Sequence, residues 1–352
     1  MPTSRPRSRA RRRSGFALPA VLAVTGVVTL IFLVAITALA SLSAEAASAR
    51  ARVRFLQRAM SAEAALSFMA ATEPTRAYGF GVNDIRQTLE MEGPQQEPSN
   101  VSGVPVEKVM ADGRRYTMDV DGPLVLRLQD QAGLINTAQL FGQPHERFLE
   151  SAGVQPGERQ ALIARYTDYI DSDDLRQPNG AERADYADGG PANRRLIRPT
   201  EWLSILGARQ AVEPKKWRAL RDALAADATS ATQNVNTAGP AALAVWFGLN
   251  DSQIETLMRV RAERPLTSLY DVASVTGAVL DLDQEQIFTY PSGATILTLH
   301  DTRSAWVYRA RLTLTPFGLE QPLWIDQTEL TEAPKRARAD TTDAIRLPYA
   351  PR

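Results

Sequence analysis

The residues with the greatest chemical potential lie in one acidic segment, from Asp168 to Asp188. The segment reads DYIDSDDLRQPNGAERADYAD and carries seven carboxylates against two arginines. Pro178, Asn179 and Gly180 predict a tight turn that brings its two acidic halves back toward each other. Clustered carboxylates repel one another unless water or a cation separates them, and hard oxygen ligands suit Ca²⁺. The segment is therefore either a calcium-binding loop or an exposed acidic loop, and it lacks the glycine and closing glutamate of an EF-hand.

Motifs for enzyme chemistry are incomplete in this sequence. His145-Glu146 lacks the second histidine of a zinc protease, and Gly79-Phe80-Gly81 lacks the third glycine and the strand context of a dinucleotide site. The chain has no cysteine and two histidines, which removes disulfides, thiolate metal sites and cysteine nucleophiles. Carboxylate pairs in the acidic segment could serve a glycosidase, but nothing nearby suggests a sugar cleft with aromatic platforms. We expect no enzymatic activity and no catalytic residue.

The stretch from Asn234 to Gly277 resembles a helix-hairpin-helix domain, and many such domains bind DNA. Their turn carries paired glycines whose backbone amides meet phosphate. Here the turn is Phe247-Gly248-Leu249-Asn250-Asp251, with one glycine and an acid where phosphate would lie. The whole chain has 40 basic and 40 acidic residues, so its net charge gives no attraction to nucleic acid either. The stretch is predicted to pack against protein.

Charge and hydropathy are uneven at the start of the chain. Residues 1–15 hold six arginines and no acid, and an uncharged, mostly apolar run follows from Gly15 to Ala44. About 20 apolar residues cross a bilayer, so Phe16–Ala40 is long enough to span one. The arginines favour a cytoplasmic start and place the bulk of the chain across the membrane. A cleaved signal peptide, with its site among Ala44, Ala46 and Ala47, is the alternative.

The junction between the basic block and the apolar run indicates a different kind of processing. Ser14-Gly15-Phe16-Ala17-Leu18 resembles the processing site of type IV prepilins and pseudopilins. The resemblance implies that a prepilin peptidase cuts between Gly15 and Phe16, that Phe16 is N-methylated, and that the apolar helix is retained. The fifth mature residue is Ala20, where that family usually has a glutamate that pairs with the terminal amine of a neighbouring subunit. A subunit without this carboxylate suits a terminal position in a filament.

Periodicity predicts an α+β fold: a pilin-like body with a long N-terminal transmembrane helix and a small antiparallel sheet, interrupted by a large helical insertion. The alanine-rich stretch after the membrane segment continues the first helix to Ala71, and Pro74 and Gly79 end it. Alternating apolar residues predict strands over Arg115–Leu128, Ile296–Leu299, Val307–Leu314 and Leu323–Asp326. Helices are predicted over Glu158–Ile170 and Asp251–Arg261 within a helical region, roughly Thr137–Phe288.

These elements divide the chain, and the insertion contains an internal repeat. Ile135-Asn136-Thr137-Ala138 recurs as Val235-Asn236-Thr237-Ala238, each with Asn-Thr where a helix N-cap is expected. The repeat predicts two related helical units, the second helix-hairpin-helix-like. The expected divisions are a cleaved leader (1–15), the N-terminal helix (16–72), the first part of the sheet body (73–134), the insertion (135–290, divided into 135–233 and 234–290), the final strands (291–330) and a flexible tail (331–352).

Together these features resemble the minor pseudopilin K family of type II secretion systems, the general secretion pathway protein K family, over nearly the whole chain. The processing junction without a glutamate at position 20 contributes to the resemblance. The other blocks that carry it are Leu128-Gln-Asp-Gln-Ala-Gly-Leu-Ile-Asn-Thr, Asp-Tyr-Ile-Asp-Ser-Asp-Asp…Asn-Gly-Ala-Glu, Thr200-Glu201-Trp202-Leu203 and Asn234-Val-Asn-Thr-Ala. The acidic block and the Asn-Val-Asn-Thr-Ala block are specific in combination.

The resemblance implies a structural role at the tip of a secretion pseudopilus. It implies partners in the minor pseudopilins I and J, further contacts with minor pseudopilin H and the major pseudopilin, and processing by the prepilin peptidase. The protein would be a single-pass protein of the bacterial inner membrane with its bulk in the periplasm, and nucleic acid would not be a partner. The alternative is a minor pilin-like or helix-hairpin-helix binding protein of another type IV filament or DNA-uptake system.

The resemblance also implies a structural calcium ion in the acidic segment. It points to five carboxylates as metal ligands: Asp171, Asp173, Asp174, Glu182 and Asp185. This sequence departs from the family pattern directly after the glutamate, where the family often has an acid and this chain has Arg183. The family also often has a tyrosine pair, of which only Tyr186 is present here.

Overall fold

The computed structural model describes residues 17–82, 106–187, 190–228, 230, 232–280, 287–289, 291–302, 304–315, 321–332 and 343–349. The chain divides into two compact units, residues 1–56 and residues 57–352. The predicted processing junction at Gly15 and Phe16 lies outside the described residues.

Helix α1, Ala17–Thr72, dominates the first unit. Every residue from Leu18 to Glu45 is exposed, although most of these side chains are apolar. Hydroxyl groups within this stretch are satisfied inside the helix, since Thr25 and Thr29 donate to the carbonyls four residues back, both at 2.8 Å. Among the described residues, α1 is long and apolar enough to cross a membrane.

The second unit combines sheets with a helical region. The strands are β1 Thr75–Arg76, β2 Gly79–Val82, β3 Glu107–Met110, β4 Asp112–Asp119, β5 Pro123–Asp130, β6 Ile135–Asn136, β7 Leu224–Ala225, β8 Gln233–Asn234, β9 Ile287–Phe288, β10 Ala294–His300, β11 Trp306–Leu314, β12 Leu323–Glu332 and β13 Ile345–Arg346. The helices are α2 Gly142–Ser151, α3 Pro156–Ile170, α4 Ala208–Ala211, α5 Pro214–Leu220, α6 Pro240–Phe247, α7 Asp251–Glu263 and α8 Leu269–Thr276.

The main sheet has six strands in the order β12-β11-β10-β5-β4-β13. Its central pair, β5 and β10, is antiparallel, with Asp130 opposite Thr295. These two strands are neighbours in space but more than 160 residues apart in sequence. Helices α2–α8 and strands β6–β9 lie between them in the chain, so the helical region is an insertion between two adjacent strands.

Two polar side chains fix the last turns of α1 to this sheet. Arg58 donates to the carbonyls of Val120 and Gly122, each at 2.8 Å, and forms an ion pair with Asp301. Glu63 is buried and accepts a hydrogen bond from the hydroxyl of Tyr308 on β11. Buried polar groups need such partners, so these contacts specify how residues 57–72 register on the strands.

The insertion has its own apolar core and is closed by two parallel ladders. In the first, Ile135 of β6 lies opposite Leu224 of β7; in the second, Gln233 of β8 lies opposite Ile287 of β9. The core packs Trp202 against Trp217 at 5.5 Å between ring centroids. Each ladder brings the start of a helical segment next to its end.

An asparagine fastens each of these closures. The side chain of Asn136 accepts from the amide of Asp227 at 2.9 Å and donates to its carbonyl at 2.9 Å. The side chain of Asn236 exchanges the same pair of hydrogen bonds with Leu266, at 2.8 and 3.0 Å, and donates to the carbonyl of Thr289 at 2.9 Å. The two halves of the sequence repeat thus hold backbone in the same way.

The structure differs from the expected fold at two places. Gly79-Phe80-Gly81 belongs to strand β2 of a separate three-stranded sheet, where a Cβ on Gly79 would lie 2.3 Å from the carbonyl oxygen of Val109. The expected flexible tail, 331–352, begins inside β12, and β13 pairs in parallel with β4. Leu347 is buried, and its amide donates to the carbonyl of Thr117 at 2.9 Å. A two-residue strand paired across more than 200 residues leaves no periodic signal in the sequence.

Candidate functional site

The acidic segment is the loop that follows helix α3. Asp171 ends the helix, and its amide donates to the carbonyl of Thr167 at 3.0 Å. The predicted turn is present: Asn179 has φ +66°, and the amide of Gly180 donates to the carbonyl of Gln177 at 2.9 Å. Asparagine adopts this left-handed conformation more readily than most residues, so the local sequence favours the turn.

Asp168 forms the floor of the loop. Its side chain is fully buried, and both carboxylate oxygens lie within 3.3 Å of the Gln177 amide, which donates to them. The backbone of Gly180 passes so close that an added Cβ would lie 1.9 Å from Asp168 Oδ2. Glycine is therefore required here for space, because any side chain would collide with the carboxylate.

Glu182 and Asp171 carry the unsatisfied oxygens of the loop. Glu182 is 7% exposed, and its side chain forms a capping-box arrangement with the backbone of Asp185. Neither of its carboxylate oxygens reaches hydrogen-bond geometry with a donor in the described structure, and the same holds for Asp171 Oδ1. Desolvation raises the pKa of both carboxyl groups, and the negative charges of Asp168, Asp173 and Asp174 raise them further. Buried acceptors without donors, surrounded by like charge, fit a cation chemically.

Asp173 and Asp174 lie exposed at the outer end of the loop. Asp173 Oδ1 accepts from the amide of Leu175 at 2.8 Å. The side-chain amide of Asn193 donates to Asp174 Oδ1 and to the Asp173 carbonyl, both at 3.2 Å. Asn193 Oδ1 is itself buried without a partner among the described residues. Sequence reasoning missed Asn193. In the structure its backbone is left-handed, with φ +47°, a conformation that is uncommon for residues other than glycine.

Asp185 faces a different partner from the other predicted ligands. Its Oδ2 accepts from the backbone amide of Glu182 at 3.0 Å, and its Oδ1 lies 3.3 Å from Arg176 Nη1. The structure therefore brings Asp171, Asp173, Asp174 and Glu182 within electrostatic range of one another and turns Asp185 toward an arginine. Among the described side chains, no three carboxylates or histidines are spaced to hold a metal ion.

The two motifs set aside in the sequence have structural explanations. His145 is buried edge-on to Tyr166, with ring centroids 4.6 Å apart, and burial lowers its pKa to about 3, which keeps it neutral. In the helix-hairpin-helix-like turn, the side chain of Asn250 accepts from the amide of Gln253 at 3.0 Å. A Cβ on Gly248 would lie 2.7 Å from the Arg147 guanidinium, so a side chain already covers this turn.

A buried aspartate outside the acidic loop links the insertion to the sheet. Asp130, the last residue of β5, is fully buried and accepts from Asn234 at 2.9 Å and from Thr237 at 2.7 Å. Ser292, just before β10, donates to it with both its amide and its hydroxyl at 2.9 Å. Burial raises the pKa of Asp130, and these donors oppose that rise. The sequence shows Asp130 within a family block but gives no sign of its partners.

Three comparisons with known proteins bear on this arrangement. Residues 128–238 match a family model described as type II secretion system (T2SS), protein K. No curated protein matches the chain. A solved structure, the crystal structure of the GspK-GspI-GspJ complex from the enterotoxigenic Escherichia coli type 2 secretion system, matches with a TM-score of 0.51 at 14% identity. That match covers 81% of this chain and 96% of the matched chain.

The matched family segment contains the acidic loop, Asp130 and the first of the two asparagine closures. The structural match supports the α+β class, with its long apolar N-terminal helix and small sheets. The resemblance predicted from the sequence is confirmed: in its 128–238 segment and in its fold, this chain resembles the type II secretion minor pseudopilin K.

Proposed function

We propose that this chain is a minor pseudopilin that occupies the tip of a type II secretion pseudopilus and contributes to protein export across the outer membrane. The observation that carries the proposal is the protein K match over residues 128–238. This segment begins at the end of β5 and continues into the helical insertion that separates two adjacent strands of the main sheet. A subunit within a helical filament must accept neighbours above and below. An insertion of this size favours a subunit that accepts them on one side only.

The proposal includes a membrane anchor and its processing. Helix α1 has the length and composition of a single-pass anchor. The Gly15-Phe16 junction supports cleavage by the prepilin peptidase, retention of the helix in the inner membrane and N-methylation of Phe16. The arginines before the junction favour a cytoplasmic start, which places residues 57–352 in the periplasm. Ala20 cannot offer a carboxylate to a neighbouring amine, and this supports a terminal position.

A structural calcium ion in the acidic loop is part of the same proposal. The residues that would hold it are Asp171, Asp173, Asp174 and Glu182. Their side chains are not spaced around an ion in the described structure, so binding would have to draw them together. The buried, unpartnered oxygens of Glu182 and Asp171 are the observation that supports a cation. Bound there, the ion would neutralise the carboxylates that oppose one another across the turn and so fix the loop.

The proposed partners are the minor pseudopilins I and J, because the similar solved structure is of a GspK-GspI-GspJ complex. Minor pseudopilin H and the major pseudopilin would be further neighbours in the filament. A structural role without catalysis accords with a family described as a secretion-system component. Nucleic acid is not a proposed partner, since the turn has a single glycine followed by Asp251 and the whole chain has no net positive charge.

Intact mass of the protein purified from bacterial membranes tests the processing. We expect a chain that lacks residues 1–15 and carries one added methyl group, and a chain that keeps its length in cells without the peptidase. Co-purification with pseudopilins I and J tests the assembly. A chain that begins near residue 46, or that never joins I and J, contradicts the proposal. Binding of residues 130–290 to DNA in a salt-dependent assay would favour the DNA-uptake alternative instead.

A further inference from the structure

A cavity of about 390 Å³ is lined by residues of the insertion and of the main sheet, none of them from the acidic loop. Its walls come from the first residues of β4, the start of α6, the second half of α7 and the segment around β13. Pro240, Met258 and Ile345 give it apolar surface. Its charged wall residues are three arginines and two aspartates: Arg114, Arg115, Arg261, Asp112 and Asp343. Nothing in the proposed export function uses this cavity.

Arg261 is the distinctive residue of the cavity. Its side chain is 8% exposed, and only Nη1 is engaged: it donates to the carbonyls of Val235 at 3.0 Å and Ala238 at 2.5 Å. Within the part of the chain that the structure describes, Nε and Nη2 have no acceptor. A guanidinium has five N–H donors in a planar fork, so Nε and Nη2 of Arg261 remain available to a ligand.

The positive charge of Arg261 has no carboxylate of its own. The carboxylate that acts on it is Asp112, which Arg114 already holds through two hydrogen bonds of 2.9 and 2.7 Å. The Arg114–Asp112 pair is neutral. Arg115 and Asp343 also carry opposite charges, so the wall keeps one net positive charge, and Arg261 is its buried cation. A buried charge is costly unless it is paired, so the cavity favours one negative charge.

The N-terminus of α6 adds further positive potential to the cavity. Gly239 is the N-cap residue of α6; it provides no capping side chain, and the first turn contains no acidic residue. A Cβ built on Gly239 meets no atom within 4 Å, so the space beside the helix terminus is open. Helix N-termini carry partial positive charge and favour anions.

We infer that this cavity binds a monocarboxylate with a short apolar stem, held by the Arg261 guanidinium and the N-terminus of α6, with the stem against Pro240 and Met258. The single excess cation matches one carboxylate, and the planar fork matches its two oxygens. The carboxylate can belong to a free small acid or to the chain terminus of another protein, and the chemistry of recognition is the same.

The test uses the full chain in detergent micelles, titrated with isobutyrate and, as a neutral control of the same shape, isobutyramide. Calorimetry should detect saturable binding of isobutyrate and none of isobutyramide. Arg261→Met should raise the Kd about tenfold or more, because it removes a charge-assisted pair. Arg264→Met, at the C-cap of the same helix, is the matched control. Arg264 is exposed and paired with Asp271 at 2.8 Å, so this change should leave the Kd unchanged.

A second pair of variants keeps the test independent of the fold, because Arg261→Met also removes two backbone contacts. Gly239→Asp places a carboxylate in the open space and should abolish isobutyrate binding, whereas Gly239→Ser caps the helix without charge and should retain it. Short peptides ending in valine, with a free or an amidated C-terminus, distinguish the two sources of the carboxylate. If the peptide with the free C-terminus binds more tightly than isobutyrate, the ligand is a protein terminus; if it binds more weakly, the ligand is a free small acid. Equal response to isobutyrate and isobutyramide, or undiminished binding by Gly239→Asp, overturns the inference.

Discussion

At the scale of single residues, the acidic loop is organised around carboxylate oxygens that lack hydrogen-bond donors. Glu182 is buried with both oxygens unpartnered, and the charges of Asp168 and Asp171 act on it across the turn. Gly180 permits this arrangement because its backbone lies against Asp168 where no side chain fits. The loop therefore holds like charges close together. Cation binding and protonation should both reduce the repulsion between these carboxylates.

Calcium should stabilise the protein through Glu182. At about a hundredfold excess of calcium over its Kd, mass action predicts about 2.7 kcal/mol of added stability and a Tm rise of about 4 °C. Glu182→Gln should lose most of this rise, because it removes a charged ligand. Thermal unfolding with calcium or with a chelator measures it. Glu255→Gln, an exposed change on α7, is the control and should keep the full rise; an equal rise in both variants would contradict the calcium site.

The pH dependence of the calcium-free protein should follow from the same group. The pKa of Glu182 is raised in the folded state, so the folded state binds the proton more tightly than the unfolded state. The carboxyl group therefore costs stability above its folded pKa, and this cost disappears as the pH falls toward the unfolded value. Wild type should gain Tm relative to Glu182→Gln on acidification from pH 7 in chelator. Parallel Tm–pH profiles of the two proteins would rule this out.

Two glycines near α3 should respond oppositely to the same substitution. Gly180→Ala should destabilise by about 1–3 kcal/mol, because the new Cβ overlaps Asp168. Gly157→Ala, in the first turn of α3, meets no atom within 4 Å and should stabilise by about 0.5 kcal/mol. Thermal unfolding of the two variants compares the Gly180 contact with intrinsic backbone propensity. Equal shifts in the two Tm values would show that the contact is absent.

The sequence predicted the acidic loop and its turn, but not the contacts that organise it. Charge density and Pro178-Asn179-Gly180 are local signals, so the loop and the convergence of Asp171 and Glu182 could be inferred. Asn193 joins the loop from beyond the segment, and Asp185 is drawn to Arg176. Both outcomes depend on tertiary geometry, which residue spacing does not encode.

At the scale of elements, Asp130 connects the two parts of the second unit. It ends β5 and receives donors from Asn234, Thr237 and Ser292, which lie at the start of the second helical segment and before β10. A single buried carboxylate thus positions three stretches that are far apart in the chain. Sheet and insertion should consequently unfold together.

Replacing this acceptor should be costly. Asp130→Asn keeps the shape of the side chain but places an NH₂ group against the donors that already point at Asp130. We expect the free energy of unfolding to fall by about 3 kcal/mol. Chemical denaturation should show the loss as one shifted transition. Asp121→Asn in the β4–β5 turn is the control: its backbone has φ +50°, which asparagine tolerates well, so stability should hardly change. Two separate transitions in Asp130→Asn would contradict cooperative unfolding of sheet and insertion.

Elements with strong periodicity were predicted with bounds close to those observed. The apolar run predicted α1, and alternating apolar residues predicted β5, β10 and β11. The alternation is present because each of these three strands has one buried and one more exposed face. Strands β1–β3 and β13 were missed or misassigned. Each is four residues or fewer and is specified by its partner strand, as at Gly79 against Val109, so its own residues carry little signal.

At the scale of the whole molecule, the division at Leu56 predicts that the second unit folds without the membrane segment. A chain that starts at residue 46 lacks the apolar run but keeps both sheets and the insertion. We expect it to be recovered without detergent and to unfold with a Tm within about 2 °C of the full chain in micelles. Circular dichroism and membrane fractionation measure both properties. Aggregation of this fragment, with loss of its near-ultraviolet signal, would contradict independent folding.

The register of the two central strands has an evolutionary consequence. Asp130 and Thr295 face each other across one ladder, so the whole helical region leaves and re-enters the sheet at adjacent points. A tight hairpin could join the same two strands, and the surrounding strand order would not change. An ancestral sheet could therefore have acquired the region by a single in-frame graft at a loop. Descendants could exchange, enlarge or lose it while the strands that carry it keep their pairing.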